Sequence, residues 1–501
     1  MPQFITLQDA VACIKDGDHV WSNAFLALAN PINLQNALGE RVKKTGSPRN
    51  LMFCCAAGFG YWKENSPNEE FIRQGAAKGV LLGHFSSTPE TARMVLEGKI
   101  AGYNLPLGVL SKMIRAAAAG ETYFITDIGL NLFVDPIYNG YRLNALSTEE
   151  YVTAIEIDGK RRLKYRIPPM NVAFIKASSS DRAGNVSFEK EATVVDALSL
   201  AQAVSRQGGK VIVQVERVVD DHQRPWNVII PAPLVDMIVV CPDQEQIAGL
   251  DGYAPAYAGD EFYEADHMRD FVLKYEASQP PRDTARSLIA KRAVKELKPG
   301  QLANIGIGIP EVVAVEAAKS GLLKEVSLTV ESGAVNGVPA SGEAFGAAVG
   351  PHCIYSMVQQ FDLYDGGGLD ICFIGALEID KEGNVNGHYS ETKLSGIGGF
   401  ANITQSTPKV VFCATFTSGG LKVEESDGNV TIVSEGKYTK IVDRVQAVSF
   451  SAKNAQATGQ EVLYITERCV FRLGPNGLEL AEVMPGIDVE KDIVSRLPFK
   501  L

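Results

Sequence analysis

The chain is poor in the residues on which metal and triad chemistry depend. Only six histidines are spread over 501 residues, and they form neither a His-Glu-x-x-His motif nor a Cys/His cluster. Eight cysteines stand at 13, 54, 55, 241, 353, 372, 413 and 469, without a Cys-x-x-Cys spacing. That pattern argues against a structural zinc site and a dithiol redox motif, and it leaves buried free thiols in a reducing compartment. No metal is expected. Long apolar runs are also missing. The uncharged stretch Ala344–Phe361 is interrupted by Gly346, Gly350, Pro351 and His352, so no membrane span is expected.

Basic residues are in the minority: 48 Lys and Arg face 59 Asp and Glu, for a net charge of −11. Such a balance argues against nucleic acid or an anionic membrane as the main partner, but not against a small anion bound locally. The N-terminal segment lacks a basic n-region and meets Asp9 early, it lacks the arginines of a transit peptide, and the chain ends in Phe-Lys-Leu. The expected location is the cytoplasm. No P-loop and no Gly-x-Ser-x-Gly elbow is present.

What is present is an ordinary globular composition, 46% apolar and 21% charged, on a length that suggests two to four domains. Within it lies a duplication. Ala10–Asp18 (AVACIKDGD) and Ala293–Gln301 (AVKELKPGQ) both read as a helix end, a Gly stop and an oncoming strand. Asp181–Val186 (DRAGNV) and Asp380–Val385 (DKEGNV) both close an apolar strand with a turn. In each copy a Lys-Val strand opening follows the Asn by 25 residues, at Lys210 and Lys409. The first pair lies 283 residues apart and the second 199, so the first copy holds about 84 residues that the second lacks, between Gly17 and Asp181.

Helical stretches such as Thr193–Gln207 alternate with β-branched runs at Lys210–Val215, Met237–Val240, Val326–Val330 and Lys409–Ala414. The alternation predicts an α/β fold of two related open-sheet domains, residues 1–277 and 284–501. Gln-Pro-Pro within Ala277–Asp283 reads as the linker, and Asp283 as the cap of a helix over Thr284–Leu297. From Thr431 to Pro475 the chain is richer in strand and turn signals.

Two features are candidates for chemistry. The run Val326–Gly333 (VSLTVESG) ends a strand in Glu331 among small residues, beyond the carboxyl edge of a parallel sheet, where ligands bind. The alternative is a Glu that caps the next helix or pairs with an Arg. The loop Asn304–Pro310 (NIGIGIP) follows a strand and precedes a helix at Glu311–Ser320, so Gly306 and Gly308 let backbone N–H groups approach an anion. It lacks the third glycine of a dinucleotide fingerprint, and a plain tight turn is the competing reading. Ser395–Ile403 (SGIGGFANI) matches Gly-x-Gly-x-x-Ala in letters only, because no strand precedes it.

These motifs together resemble family I coenzyme A transferases: Glu-Ser-Gly, then Gln-Phe-Asp-Leu-Tyr-Asp-Gly-Gly-Gly (360–368), Asp-Lys-Glu-Gly-Asn-Val-Asn (380–386) and the Ser395–Ile403 loop. The likeness is greatest to the single-chain acetate/propionate type, in which α-like and β-like halves are fused. In the first half, Gly83–Phe85, Tyr103–Leu110, Phe133–Pro136 and Gly140–Asn144 agree with it, and the likeness runs from about residue 5 to 500.

The resemblance implies that Glu331 is the nucleophile, that it passes through an acyl anhydride to a glutamyl-CoA thioester, and that kinetics are ping-pong. It implies coenzyme A as substrate with no permanently bound cofactor, small carboxylic acids as partners, and a homodimer or homotetramer. It also assigns the backbone N–H groups of Gly398 and Gly399 to the oxyanion. An ordinary glutamate near pKa 4.3 is ionised at neutral pH and needs no general base.

Two departures stand out. Leu107 occupies the position of a family glutamine whose amide approaches the catalytic glutamate. The loop Ser22–Pro31 has no glycine where relatives are Gly-rich, and it brings Phe25 and Ala27 to the acyl pocket. Altered acyl specificity is the expectation. Gly387–Ser390 also departs from the pattern. Two other functions compete: an acyl-CoA hydrolase working through the same glutamate, and a non-catalytic ligand-binding protein on this fold.

Overall fold

In the computed structural model, which describes residues 2–261, 263–278 and 283–500, the two Asp-x-x-Gly-Asn turns close with the same hydrogen bonds. Asp181 Oδ1 accepts the Asn185 N–H and Oδ2 accepts its side-chain amide, both at 2.9 Å. Asp380 does the same for Asn384, at 2.9 and 3.1 Å. Gly184 and Gly383 sit at φ +95° and +90°, a left-handed backbone that favours glycine. Even the free Asn carbonyl oxygens are used alike: Asn185 takes the Ala232 N–H and Asn384 the Ala452 N–H.

Around each turn stands a sheet with a parallel core, and the second sheet adds antiparallel strands at both edges. The first contains β1 (Gln3–Phe4), β2 (His19–Asn23), β3 (Leu51–Cys55), β4 (Ala77–Leu82), β5 (Ala101–Asn104), β6 (Val172–Asp181), β7 (Lys210–Val219) and β8 (Met237–Val240), in the order β1-β8-β7-β6-β2-β3-β4-β5. The second contains β9 (Leu302–Ile305), β10 (Ser327–Thr329), β11 (Ala334–Val335), β12 (Cys353–Ile354), β13 (Ile371–Gly375), β14 (Lys409–Cys413), β15 (Glu461–Ile465), β16 (Cys469–Gly474) and β17 (Gly477–Val483). Its order is β12-β11-β10-β9-β13-β14-β15-β16-β17. The run β8-β7-β6-β2-β3 and the run β15-β14-β13-β9-β10 are therefore the same five-stranded core written twice.

Helices repeat as well. α1 (Ile32–Thr45) joins β2 to β3 as α5 (Glu311–Lys319) joins β9 to β10. α2 (Leu107–Ala118) and α6 (Met357–Asp365) precede β6 and β13, while α3 (Ala197–Arg206) and α7 (Phe400–Ser406) precede β7 and β14. The residues extra to the first copy fall in two places: β4 and β5 before α2, and after it an antiparallel meander of Tyr123–Thr126, Val152–Ile157 and Lys160–Arg166.

Alternation along each strand sorts the core. Val172, Phe174 and Ile212 belong to one buried cluster, whereas Ala173, Ile175, Val211 and Val213 belong to another on the opposite face. That second cluster continues into the other half through Phe361, Ile374, Phe412 and Tyr464. Ala303, Leu328, Phe373 and Val411 build a third core on the far face of the second sheet. Both sheets thus share one central layer, and burial on both faces explains their unbroken apolar strands.

Several local expectations need adjustment. The helix over Thr284–Leu297 is α4 (Thr284–Ala293) followed by a 3-10 turn, and Asp283 Oδ1 caps it through the Ala285 N–H. The helix placed at Thr193 begins only at Ala197, because Val195 at φ +50° lies outside the right-handed helical region. Helix Ala452–Thr458 interrupts the strand-rich tail. Of the linker, residues 279–282 lie outside the described residues. Among the described residues no helix is long and apolar enough to cross a membrane.

Candidate functional site

Glu331 lies in the turn beyond the carboxyl end of β10. Three contacts set that turn. Gly333 has φ +121°, and a Cβ there would stand 2.2 Å from the Tyr355 carbonyl oxygen, so only glycine fits. The Ser332 hydroxyl donates to the Gly346 carbonyl. Thr193 Oγ1 of the first half donates to the Ser332 carbonyl at 2.7 Å.

The glutamate's carboxylate is partly enclosed. Parts of the residue reach solvent, but Oε2 is fully enclosed and has no hydrogen-bond partner in accepted geometry. Burial pushes the Glu331 pKa up to about 7, against the pull of the Gly399 N–H. This corrects the expectation of an ordinary, fully ionised carboxylate: local spacing could not show that the side chain would be desolvated. A Cβ on Gly399 would stand 1.8 Å from Oε2, so the loop approaches as only glycine allows.

The first half holds that loop. The Ser395 carbonyl accepts the Phe85 N–H at 2.7 Å, and the Ile397 N–H donates to Asn104 Oδ1 at 2.9 Å. The Gly398 N–H donates to the Gly83 carbonyl at 2.8 Å, and the Gly398 carbonyl accepts the Leu107 N–H at 2.9 Å. Gly398 is thus committed on both sides, while Gly399 turns its N–H toward the carboxylate. Next along α2, the Gly108 N–H donates to Asn402 Oδ1 at 3.2 Å. Asn402 in turn donates to Asp365, which accepts the Lys112 ammonium at 2.6 Å.

Leu107 therefore starts α2 with its backbone on the glycine loop and its side chain in the central core. Phe25 reaches the site from the other side. Its ring lies 2.5 Å from where a Cβ on Gly346 would stand, one hydrogen bond away from Ser332. Its centroid is 6.3 Å from that of Phe345. Ala27 is buried, and its carbonyl accepts the Ala248 N–H at 3.0 Å. The glycine-free loop keeps a glycine-like backbone all the same: Leu26 and Ala29 have φ +57° and +48°, a conformation that costs about 1 kcal/mol per residue.

Gly306 and Gly308 stand apart from this cluster, at the end of β9. The Gly306 N–H donates to the Phe373 carbonyl at 2.9 Å, and Gly308, at φ +88°, faces open space. Ile307 between them is 48% exposed, and α5 begins at Glu311, so the loop borders a helix N-terminus.

Some residues were not singled out by sequence. His84 packs against the loop, with its Cα 2.8 Å from where a Cβ on Gly396 would stand. Its Nε2 lies 2.9 Å from Ser86 Oγ, and burial lowers its pKa to about 4, so the ring is neutral. On α6, Phe361 flanks Gly399, and the Tyr364 hydroxyl donates to Thr329 Oγ1 at 3.0 Å. The Gly-His-Phe and Gln-Phe-Asp motifs carried the signal, but no role. Among the described residues no group of three or more His, Cys, Asp or Glu is placed to hold a metal ion.

A family model described as coenzyme A transferase matches residues 4–241 and 287–494. The acetate CoA-transferase YdiF of Escherichia coli K12 is 39% identical over 467 residues, which is 93% of this chain and 86% of that protein. The caffeate CoA-transferase of Acetobacterium woodii is 36% identical over 508 residues, covering 100% of this chain and 94% of that one. Among solved structures, the apoenzyme of the acyl-CoA transferase YdiF from E. coli O157:H7 superposes with a TM-score of 0.91 at 36% identity, covering 100% of this chain and 93% of that one. Its thioester complex with CoA gives 0.90 at 35% identity, with the same coverage.

Proposed function

The chain belongs to the coenzyme A transferase family, and from that premise we propose that Glu331 is the residue through which CoA passes between two carboxylic acids. One observation carries the assignment: its carboxylate oxygen is enclosed, lacks a hydrogen-bond partner in accepted geometry and lies against a glycine loop. A desolvated carboxylate that has lost its water shell is a stronger nucleophile than an exposed one.

In the reaction, a Glu331 oxygen attacks the acyl-CoA thioester carbon. The C–S bond breaks, leaving an acyl-glutamyl anhydride and CoA thiolate. Thiolate then attacks the glutamyl carbonyl carbon, the acyl group departs as its carboxylate, and a glutamyl-CoA thioester remains. A second carboxylate reverses the sequence, so two half-reactions share one site. The YdiF complex, named as a thioester with CoA, supports this order.

Gly399 supplies a backbone N–H to the oxyanion, and Gly398 fixes the loop that presents it. The loop of Gly306 and Gly308, open at Gly308 and beside a helix N-terminus, receives the anionic part of CoA. Phe25, Ala27 and Leu107 shape the acyl side. The Phe25 ring over Gly346, with the Phe345 ring 6.3 Å away, supports a short acyl chain. The same reading divides the chain into halves 1–277 and 284–501, and makes it a cytoplasmic homodimer or homotetramer by family resemblance.

The test is to incubate the protein with acetyl- or propionyl-CoA without an acceptor acid and to map the peptides by mass spectrometry. A CoA-sized adduct on the Glu331 peptide is expected. Absence of the adduct, together with undiminished turnover of Glu331→Ala, overturns the assignment. Acceptor-dependent turnover then separates transfer from hydrolysis.

A further inference from the structure

α6 brings a second idle polar group to the same region. Gln360 is 0% exposed, and neither its amide nitrogen nor its amide oxygen has a partner in hydrogen-bond geometry. Buried amides are normally paired, and one left open in the resting protein is poised for a group that arrives later.

One turn along the helix, Tyr364 places its hydroxyl beside the Gln360 amide, close enough for the amide to affect the phenol's ionisation. That hydroxyl is already engaged: it donates to Thr329 Oγ1 at 3.0 Å and accepts from Asn304 Nδ2 at 3.3 Å. Thr329 ends β10, two residues before Glu331, and the Glu331 charge acts on the same phenol. Phe361, next to Gln360, flanks Gly399. Tyr364, Thr329 and Phe361 thus link the amide to the carboxylate and to the glycine loop.

The chemistry leaves a vacancy for such a donor. Attack of thiolate on the glutamyl carbonyl puts negative charge on the former carboxylate oxygen. Gly399 offers that oxygen one N–H, whereas the neighbouring Gly398 N–H is held by Gly83. We propose that Gln360 is a further catalytic residue, whose side-chain N–H donates to the glutamyl oxygen as charge develops on it. This inference rests on Glu331 being the acyl carrier. Leu107 bears no polar group for the task, so the donor in this chain comes from the other half of the molecule.

The experiment compares the full-length wild-type protein with Gln360→Met and Gln360→Glu. Met keeps the length of the side chain and removes both idle polar atoms. Expected are a melting temperature equal to or above that of wild type, a kcat reduced ~100-fold and a KM for acyl-CoA changed less than about twofold. Unchanged kcat overturns the proposal. So does a lower melting temperature, which would show the amide paired in the resting fold.

Gln360→Glu supplies a readout that structural damage does not mimic. A second carboxyl beside Glu331 should move the acid limb of the kcat/KM profile upward by about one pH unit. An unmoved limb places Gln360 away from the reacting group and overturns the proposal, even where Gln360→Met fails to fold. The CoA adduct on wild type is measured first. Its absence sinks the Glu331 reading, whereas its presence with normal Gln360→Met kinetics sinks only this one.

Discussion

A carboxyl group with pKa about 7 ties rate and stability to pH in opposite senses. In the proposed mechanism the ionised form is the nucleophile, so kcat/KM should rise with pH, tenfold per unit below 7, and level off above it. Stability runs the other way. The folded-state pKa lies above the ordinary 4.5, so the folded protein holds the proton more tightly. Its favourable contribution is complete below pH 4.5 and is lost as pH rises through 7. Glu331→Gln removes the cost of burying the charge, so it should stabilise the protein by about 3 kcal/mol at pH 8 while abolishing transfer. Thermal melts of the two proteins should converge toward pH 4.5; curves that stay parallel would show that Glu331 is not desolvated. At Leu107, replacement by Gln tests whether an amide there changes acyl preference, read from the kcat/KM ratio of acetyl- to longer acyl-CoA substrates.

At the scale of elements, the loop 395–399 demands backbone without side chains at two points, for different reasons. A methyl at 399 would overlap the Glu331 carboxylate, so Gly399→Ala should fold with near-normal stability yet lose at least ~100-fold in kcat as the nucleophile is displaced. A methyl at 396 would meet the backbone of Gly83 and His84 at 2.8 Å, and backbone does not yield. Gly396→Ala should therefore lower the melting temperature as well as the rate. Equal thermal effects at 396 and 399 would contradict this division. On the acyl side, Phe25→Ala should open room over Gly346 and shift selectivity toward bulkier acyl-CoA by about tenfold, measured as competing kcat/KM.

Much of this scale was legible beforehand because it is local. The Asp-x-x-Gly-Asn turns, the Asp283 cap and the β-branched strands follow from short-range chemistry. The position of Glu331 at a strand end was legible for the same reason. Its burial was not, because Gly399 lies 68 residues further on in a loop bound to the first half. The same applies to Gln360, whose letters say nothing about an unpaired amide.

Across the whole molecule, the two copies meet in one central layer, and the contacts that support the site cross between them. Lys112, Asp365 and Asn402 link α2, α6 and α7. The Lys112–Asp365 pair is nearly buried, with side chains 10% and 11% exposed. Breaking such a pair from one side leaves a buried charge behind. Lys112→Met should destabilise the protein by about 3 kcal/mol, more than Asp365→Asn together with Lys112→Met in the double variant. Additive losses in a denaturation cycle would show that the two do not interact.

The shared strand registers also reveal an asymmetry between the copies. Val20 pairs with Phe53 in the first sheet as Ala303 pairs with Leu328 in the second. Carried forward three residues, that register sets Ala56 opposite Glu331, and Gly58 opposite Gly333. One copy has an acid at the strand tip; the other has an apolar methyl there and contributes a scaffold instead. In the proposed mechanism the chemistry stays with one copy, and the other is the wall against which it works.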